Sequence, residues 1–228
     1  MDNGHKMYPV FINLESKLCV VVGAGNVAKR KVLRLLAYGG IVSVVGLRAC
    51  PEIKLLAKES KIKLLLKKYE SKDIDGASIV IAASDDRCLN KAVAKDGLSK
   101  NLLVNVVDNF ALGNIYLPSI VRKNGIQIAI STSGKSPGYA KAMRIALEDF
   151  LRDEYILGLK LFAALREIGR DSVAMGEDKN VNIDGIIASG FLECLKNKEF
   201  SRALALLKLH LPGQEDVVED VFLSVIGQ

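Results

Sequence analysis

The apolar positions of this chain follow two alternating patterns over its first hundred residues. Leu18-Cys19-Val20-Val21-Val22, Ile41-Val42-Ser43-Val44-Val45, Ile62-Lys63-Leu64-Leu65-Leu66, Ser78-Ile79-Val80-Ile81-Ala82-Ala83 and Leu102-Leu103-Val104-Asn105-Val106-Val107 are short runs rich in branched aliphatic residues. Too short for helices and apolar on both faces, such runs predict buried parallel strands. Between them the spacing is helical. The segment up to Tyr38 places Val27, Leu33, Leu35 and Leu36 on an apolar side and Lys29, Arg30, Lys31 and Arg34 on an outer side, ending at Gly39-Gly40. Pro51 to Ser60 is a second short helix, Asp73 to Gly76 a turn, and a third helix, capped by Ser84 or Asp85, runs to about Gly97. This alternation predicts an α/β fold with a doubly wound parallel sheet, whose ligands bind beyond the carboxyl ends of the strands. Gly23, Ser84 and Asp108 all fall at that edge.

The pattern then changes. Ile115 to Arg122 and Ile126 to Thr132 are extended runs around Asn124-Gly125, the dipeptide best suited to a type I′ hairpin. Ser136 caps and Pro137 begins a helix to about Arg152. From Tyr155 onward only helices are expected, over 155–168, 183–196, 199–209 and 216–226, with a polar linker from Ser172 to Asn182. Before the first strand, Tyr8 to Leu14 reads as an extended segment packing on the sheet edge.

The first strand is cut off by Gly23-Ala24-Gly25 and followed at once by a helix. Strand, glycine turn and helix in that order bring free backbone N–H groups and the positive end of a helix dipole to one point, where a pyrophosphate can sit. Gly23 permits the tight turn, Gly25 lets a phosphate approach the backbone, and Ala28 takes the third small position of G-x-G-x-x-G/A. The acid that holds the ribose hydroxyls of NAD about 20 residues further on is missing. The region reads Val45-Gly46-Leu47-Arg48, and Arg48 is either a contact for a 2′-phosphate or a surface residue at a strand end. NAD is the expected cofactor.

Composition narrows the partners. Half of the 228 residues are apolar, but no uninterrupted run approaches the roughly 20 needed to cross a bilayer. The opening residues lack the charged and apolar regions of a signal peptide, so no membrane association and a cytoplasmic location are expected. Cys19, Cys50, Cys88 and Cys194 are scattered without a CxxC, two of them in apolar elements, and read as buried free thiols. With His5 and His210 far apart, no preformed transition-metal site is legible. The net charge of +6 points to an acidic partner. Nucleic acid is one candidate, but tryptophan, an aromatic stacking platform and a recognised nucleic-acid motif are absent. A small polyanionic substrate fits the charge equally well, no nucleic-acid partner is expected, and the Lys54 to Lys72 run reads as a solvated face. Gly134-Lys135-Ser136 looks like the end of a phosphate-binding Walker loop, but position 129 holds Ala, not Gly, and that reading fails.

Several stretches together resemble one family: Tyr8 to Leu14, the loop from Gly23 to Lys31, Ala83-Ser84-Asp85-Asp86-Arg87-Cys88-Leu89-Asn90, Asn105-Val106-Val107-Asp108, Leu117-Pro118-Ser119-Ile120, and the run from Ile130 to Pro137. The sequence looks like a sirohaem synthase of the precorrin-2 dehydrogenase and sirohydrochlorin ferrochelatase type, in a free-standing form without a methyltransferase domain. The resemblance covers about residues 7–150 well and the helical tail loosely. It implies a Rossmann-type NAD-binding domain over 1–112, a central dimerisation region over 113–152 and a small C-terminal helical domain over 153–228, assembled as a homodimer. It also implies precorrin-2 as substrate and sirohydrochlorin as product, with ferrous iron as a further substrate where chelation follows. By the matched motifs, Asn26, Val27, Leu47 and Arg48 fall at nucleotide-contact positions and Asp108 at the aspartate implicated in catalysis. With Gly23 and Gly25 of the loop and Ser84 at the sheet edge, these make up the expected cofactor and catalytic residues. Two departures stand out. Ala24 replaces the middle glycine of the family loop, and Gly46-Leu47-Arg48 replaces the Ala-Pro found in many relatives.

Removing a hydride and a proton from a polycarboxylate requires a nicotinamide within reach, a base, and cations for the acid groups. Asp108 suits the base, although an aspartate at a strand end is also a common turn or cap. Lys135, Arg122 and Lys141 are candidates for holding substrate carboxylates. Two alternatives share the glycine loop: an NAD-binding regulatory module whose helical tail contacts a partner, and a dehydrogenase of another polyanion.

Overall fold

The structure, a computed structural model, describes residues 7–174 and 182–227. The chain forms two compact units, residues 1–118 with 133–135, and residues 119–132 with 136–228.

In the first unit, β1 (Leu18–Val22), β2 (Ile41–Val45), β3 (Ile62–Leu65), β4 (Ile79–Ala82) and β5 (Leu103–Val106) form one all-parallel sheet in the order β3-β2-β1-β4-β5. The helices α1 (Asn26–Ala37), α2 (Pro51–Lys58) and α3 (Arg87–Ser99) connect the strands. Strand residues alternate between two cores. Cys19, Val21, Val42, Val44, Ile79 and Ile81 pack with Ala28, Val32, Leu35 and Ile53 of α1 and α2. Val20, Val22, Val80, Ala82, Val104 and Val106 pack with Val93 and Ala94 of α3. The helices therefore cover both faces, and the order in which strands are added reverses between β1 and β4, the switch point where doubly wound sheets open a crevice.

Three details differ from the sequence reading. The buried stripe of α1 is Ala28, Val32 and Leu35, while Val27 and Leu33 are exposed. The small Ala28 lets the helix lie close on the sheet, and that closeness sets the stripe. The cap of α3 is neither Ser84 nor Asp85 but Asp86, whose side chain accepts from Cys88 N and Leu89 N. The segment from Tyr8 to Leu14 forms no strand: Leu14 reaches the core, whereas Tyr8 and Phe11 are 87% and 70% exposed. Past β5, Asn114 N and Ile115 N both donate to Val104 O, so the chain stays with the sheet as far as Pro118.

The second unit begins with an antiparallel hairpin, β6 (Ser119–Lys123) and β7 (Ile126–Ile130). Asn124 and Gly125 take φ of 43° and 93°, the left-handed geometry a type I′ turn requires. Helix α4 (Pro137–Phe150) follows, capped by Ser136 Oγ accepting from Tyr139 N, and packs on the hairpin. Then come α5 (Asp153–Ala174), α6 (Ile183–Ala188), α7 (Phe191–Lys196), α8 (Phe200–His210) and α9 (Glu215–Ile226). They share a core that includes Leu161, Ile186, Phe191, Leu207 and Phe222. The helix expected over 183–196 is broken at Gly190, whose φ of 88° no helix interior adopts. Residues 175–181, the middle of the expected linker, lie outside the described residues.

Candidate functional site

The carboxyl ends of β1, β4 and β5 converge on one cleft of about 380 Å³, lined by Val27, Arg30, Ala83, Ser84, Asp85, Arg87, Val107 and Asp108. Its first wall is the start of α1, which presents Val27 and Arg30 and is entered through the glycine loop. Gly23 N donates to Val45 O, and Gly23 has a φ of +112°. A Cβ there would lie 2.2 Å from Ala83 O, so the turn after β1 is pressed against the chain leaving β4 and admits no side chain. Gly25 is the opposite case. It sits at the N-cap of α1 with ordinary backbone angles, and a Cβ on it would meet nothing within 4 Å. No side chain caps α1, and no acidic residue stands in its first turn. Uncapped amides, the positive end of a 12-residue helix and open space above Gly25 together fit the pyrophosphate of a dinucleotide.

The second wall comes from the ends of β4 and β5. Ser84 and Asp108 are held by Asn90, a fully buried residue on the first turns of α3. Asn90 Oδ1 accepts from Ser84 N at 3.1 Å and from Ser84 Oγ at 2.8 Å. Its Nδ2 donates to Ser84 O at 2.9 Å and to Asp108 Oδ1 at 3.0 Å. The polar groups of Ser84 are thus turned into the protein, and Ser84 lines the cleft as a braced wall. Asp108 has one oxygen pinned and the other, Oδ2, 4.0 Å from Arg87 Nε. The Asp108 side chain is 28% exposed and that of Arg87 91%, so the carboxylate lies at the cleft surface beneath a solvated cation.

Of the residues singled out from sequence, Gly23, Gly25, Asn26 and Val27 lie on the loop and first turn of α1, with Ser84 and Asp108 across the cleft. Leu47 and Arg48 are exposed on the loop after β2, which is tied to the glycine loop by Cys50 N donating to Ala24 O. Lys135 belongs to the first unit, and Arg122 and Lys141 to the second. Sequence reasoning gave no role to Asn90, Arg30 or Arg87. The signal for Asn90 was present: with Val93, Ala94 and Gly97 it completes the buried i, i+3, i+4, i+7 stripe of α3, where an amide is out of place unless it is fully bonded. Arg30 lies three residues beyond Val27, which brings both to the same side of α1.

Comparison with known proteins is in keeping with a dinucleotide-binding fold. The family model for NAD(P)-binding domains matches residues 10–119, and the model for the central part of sirohaem biosynthesis proteins matches residues 123–149. The precorrin-2 dehydrogenase of Bacillus subtilis (strain 168) is 33% identical over 150 residues, an alignment covering 66% of this chain and 92% of that protein. The chain belongs to the sirohaem synthase and precorrin-2 dehydrogenase family. Within that family, the siroheme synthase of Ruthia magnifica subsp. Calyptogena magnifica is 32% identical over 216 residues, covering 94% of this chain and 46% of that protein. The chain thus spans about half the length, or less, of the siroheme synthases it matches. Among solved structures, the precorrin-2 dehydrogenase SirC superposes with a TM-score of 0.66 at 22% identity, covering 97% of this chain and 100% of SirC, a likeness of fold.

Proposed function

We propose that this chain is an NAD-dependent dehydrogenase that oxidises precorrin-2 to sirohydrochlorin, with Asp108 as the base. The observation that carries the reading is the cleft itself: an anion-ready helix terminus on one wall and a pinned, accessible carboxylate on the other. When bound, NAD supplies the acceptor for the hydride. The chain's own residues do the rest. Gly23, Gly25, Asn26 and Val27 form the pyrophosphate cradle, and Leu47 and Arg48 stand beside the adenosine end. Ser84 backs the nicotinamide end, and Asp108 Oδ2 takes the proton that leaves the macrocycle with the hydride. Arg30 and Arg87 join Lys135, of the same unit, as cations for the substrate's carboxylates.

The proposal extends to NAD over NADP, to ferrous iron insertion after oxidation, with Asp108 receiving a pyrrole proton, and to a homodimer built through residues 113–152. The dimer is supported by α4, which has Ala140 as its buried residue while Tyr139, Met143, Ile145 and Phe150 are exposed. The four cysteines are free thiols, Cys19 and Cys194 buried as expected but Cys50 half-buried and Cys88 exposed on the first turn of α3, and free thiols suit a cytoplasmic site of action. Among the described residues no helix is long and apolar enough to cross a membrane.

The test is anaerobic. The purified chain is given precorrin-2 with NAD or NADP, the spectrum is followed to sirohydrochlorin, and ferrous iron is then added. Binding of NAD without turnover of the tetrapyrrole would favour the regulatory-module reading instead.

A further inference from the structure

Asn90 has its full hydrogen-bonding capacity committed at one point between two strands. Its orientation is dictated by its neighbours. Ser84 N can only donate, so the atom 3.1 Å away is the amide oxygen; the carboxylate of Asp108 needs a donor, so the atom 3.0 Å away is the amide nitrogen. The residue is completely buried in the stripe of α3 that packs on the sheet. It cannot swing away from the cleft without leaving Ser84 N, Ser84 O and its own amide unpaired in the interior.

We propose that Asn90 is a positioning residue for the reaction: it locks Asp108 with Oδ1 turned inward, so that Oδ2 alone is presented to the proton that leaves the substrate. This rests on the reading of Asp108 as the base. Two consequences follow from the geometry. A carboxylate on the coil after β5 would otherwise turn about its Cα–Cβ bond toward Arg87, whose Nε is already 4.0 Å from Oδ2. The same amide also ties the loop after β4 to the residue after β5, so the nicotinamide wall and the base keep a fixed separation. Asn90 touches neither substrate nor cofactor, and its effect on turnover passes through Asp108.

The test is a double-mutant cycle on the full chain, reading kcat and KM for precorrin-2 and NAD affinity by calorimetry. Asn90→Ala should lower kcat by roughly 10- to 50-fold, a part of the loss expected for a general base, with NAD affinity changed by less than about 3-fold. In an Asp108→Asn background the same substitution should change kcat by less than about 3-fold, because the group it positions is no longer a base. Equal losses in both backgrounds, or a loss of NAD affinity that matches the loss of rate, would mean that Asn90 is merely structural and would overturn the proposal. Should Asn90→Ala fail to fold, Asn90→Asp decides. It keeps the acceptor for Ser84 N and Oγ but puts a second carboxylate about 3 Å from Asp108, where two acids share one proton. The acid limb of its kcat profile should move to higher pH than in the parent, and a parental profile at parental rate would sink the idea. Failure of the underlying reading looks different: Asp108→Asn alone would turn over at the parent rate, and the proposal would fall with it. A slow Asp108→Asn beside a fast Asn90→Ala would leave the base standing and remove the positioning role.

Discussion

Asp108 and the two loop glycines each do something that a neighbouring residue of similar type does not. Asp85 and Asp86 are also carboxylates at a strand end, yet Asp86 is spent on the amides of α3 and Asp85 has no brace like that of Asn90 on Asp108. Asp108→Asn keeps the shape and a hydrogen-bonding oxygen while removing the basic charge. It should slow turnover by about 10²-fold or more with NAD binding nearly intact, and steady-state kinetics beside a calorimetric titration read both. An inactive Asp85→Asn with a fully active Asp108→Asn would move the base to the β4 loop. The glycines should separate as cleanly. Gly25→Val meets open space in the protein and should fold with an unchanged melting temperature while losing NAD binding. Gly23→Ala puts a Cβ 2.2 Å from Ala83 O at a φ of +112°, and should destabilise the fold by a few kcal/mol, on the scale of stored backbone strain. A Gly25→Val protein that binds NAD normally would show that no pyrophosphate approaches that Cα.

At the scale of the element, α3 carries the second wall of the cleft, and its two ends are secured differently. At the N-terminus the Asp86 cap satisfies two amides. Asp86→Ala should cost about 1 kcal/mol, seen as a lower denaturation midpoint, with the rate per folded molecule changed far less than in Asp108→Asn. Toward the C-terminus, Tyr69 OH donates to Asp96 Oδ2 at 3.0 Å, linking the approach to β4 with α3. Burial, and then the hydrogen bond to Asp96, push the Tyr69 phenol well above its ordinary value. A phenol raised in the folded state holds its proton more tightly there than in the unfolded chain. Its contribution is therefore complete below about pH 10 and is lost as the pH climbs above it. Stability measured from pH 9 upward should fall less steeply in Tyr69→Phe than in the parent. Identical slopes would mean that the Tyr69 to Asp96 contact does not persist in solution.

For the whole molecule, the question is what covers α4 and the hairpin. A helix of 14 residues that buries Ala140 while exposing Tyr139, Met143, Ile145 and Phe150 leaves apolar area uncovered that a second copy would bury. Light scattering should give twice the chain mass of 24.7 kDa at micromolar concentration. Met143→Glu, which sets a charge beside Tyr139 and Phe150 on the same side of the helix, should shift the protein toward the monomer. A parent that runs at 24.7 kDa counts against the dimer, and a dimeric Met143→Glu counts against this face.

Much of this was already written in the order of the residues. Branched apolar runs of five residues, each stopped by glycine or polar residues, leave a strand buried on both faces as the arrangement that hides them. The spans Leu18–Val22 and Ile41–Val45 and the Asn124-Gly125 turn accordingly coincide with those read from sequence. The glycine loop and Asp108 at the carboxyl edge were legible for the same reason, since strand direction is fixed by the alternation with helices. Sequence alone did not determine which carboxylate would cap α3, that Asn90 would clamp Ser84 and Asp108 together, or that Arg30 and Arg87 would share their cleft. Asp108 and Asn90 are 18 residues apart in the chain and meet only because β5 lies beside β4 with α3 packed against both. Local propensity acts over one turn or one strand. The contacts that hold the site arise only once the sheet has formed, so the tertiary structure decided them.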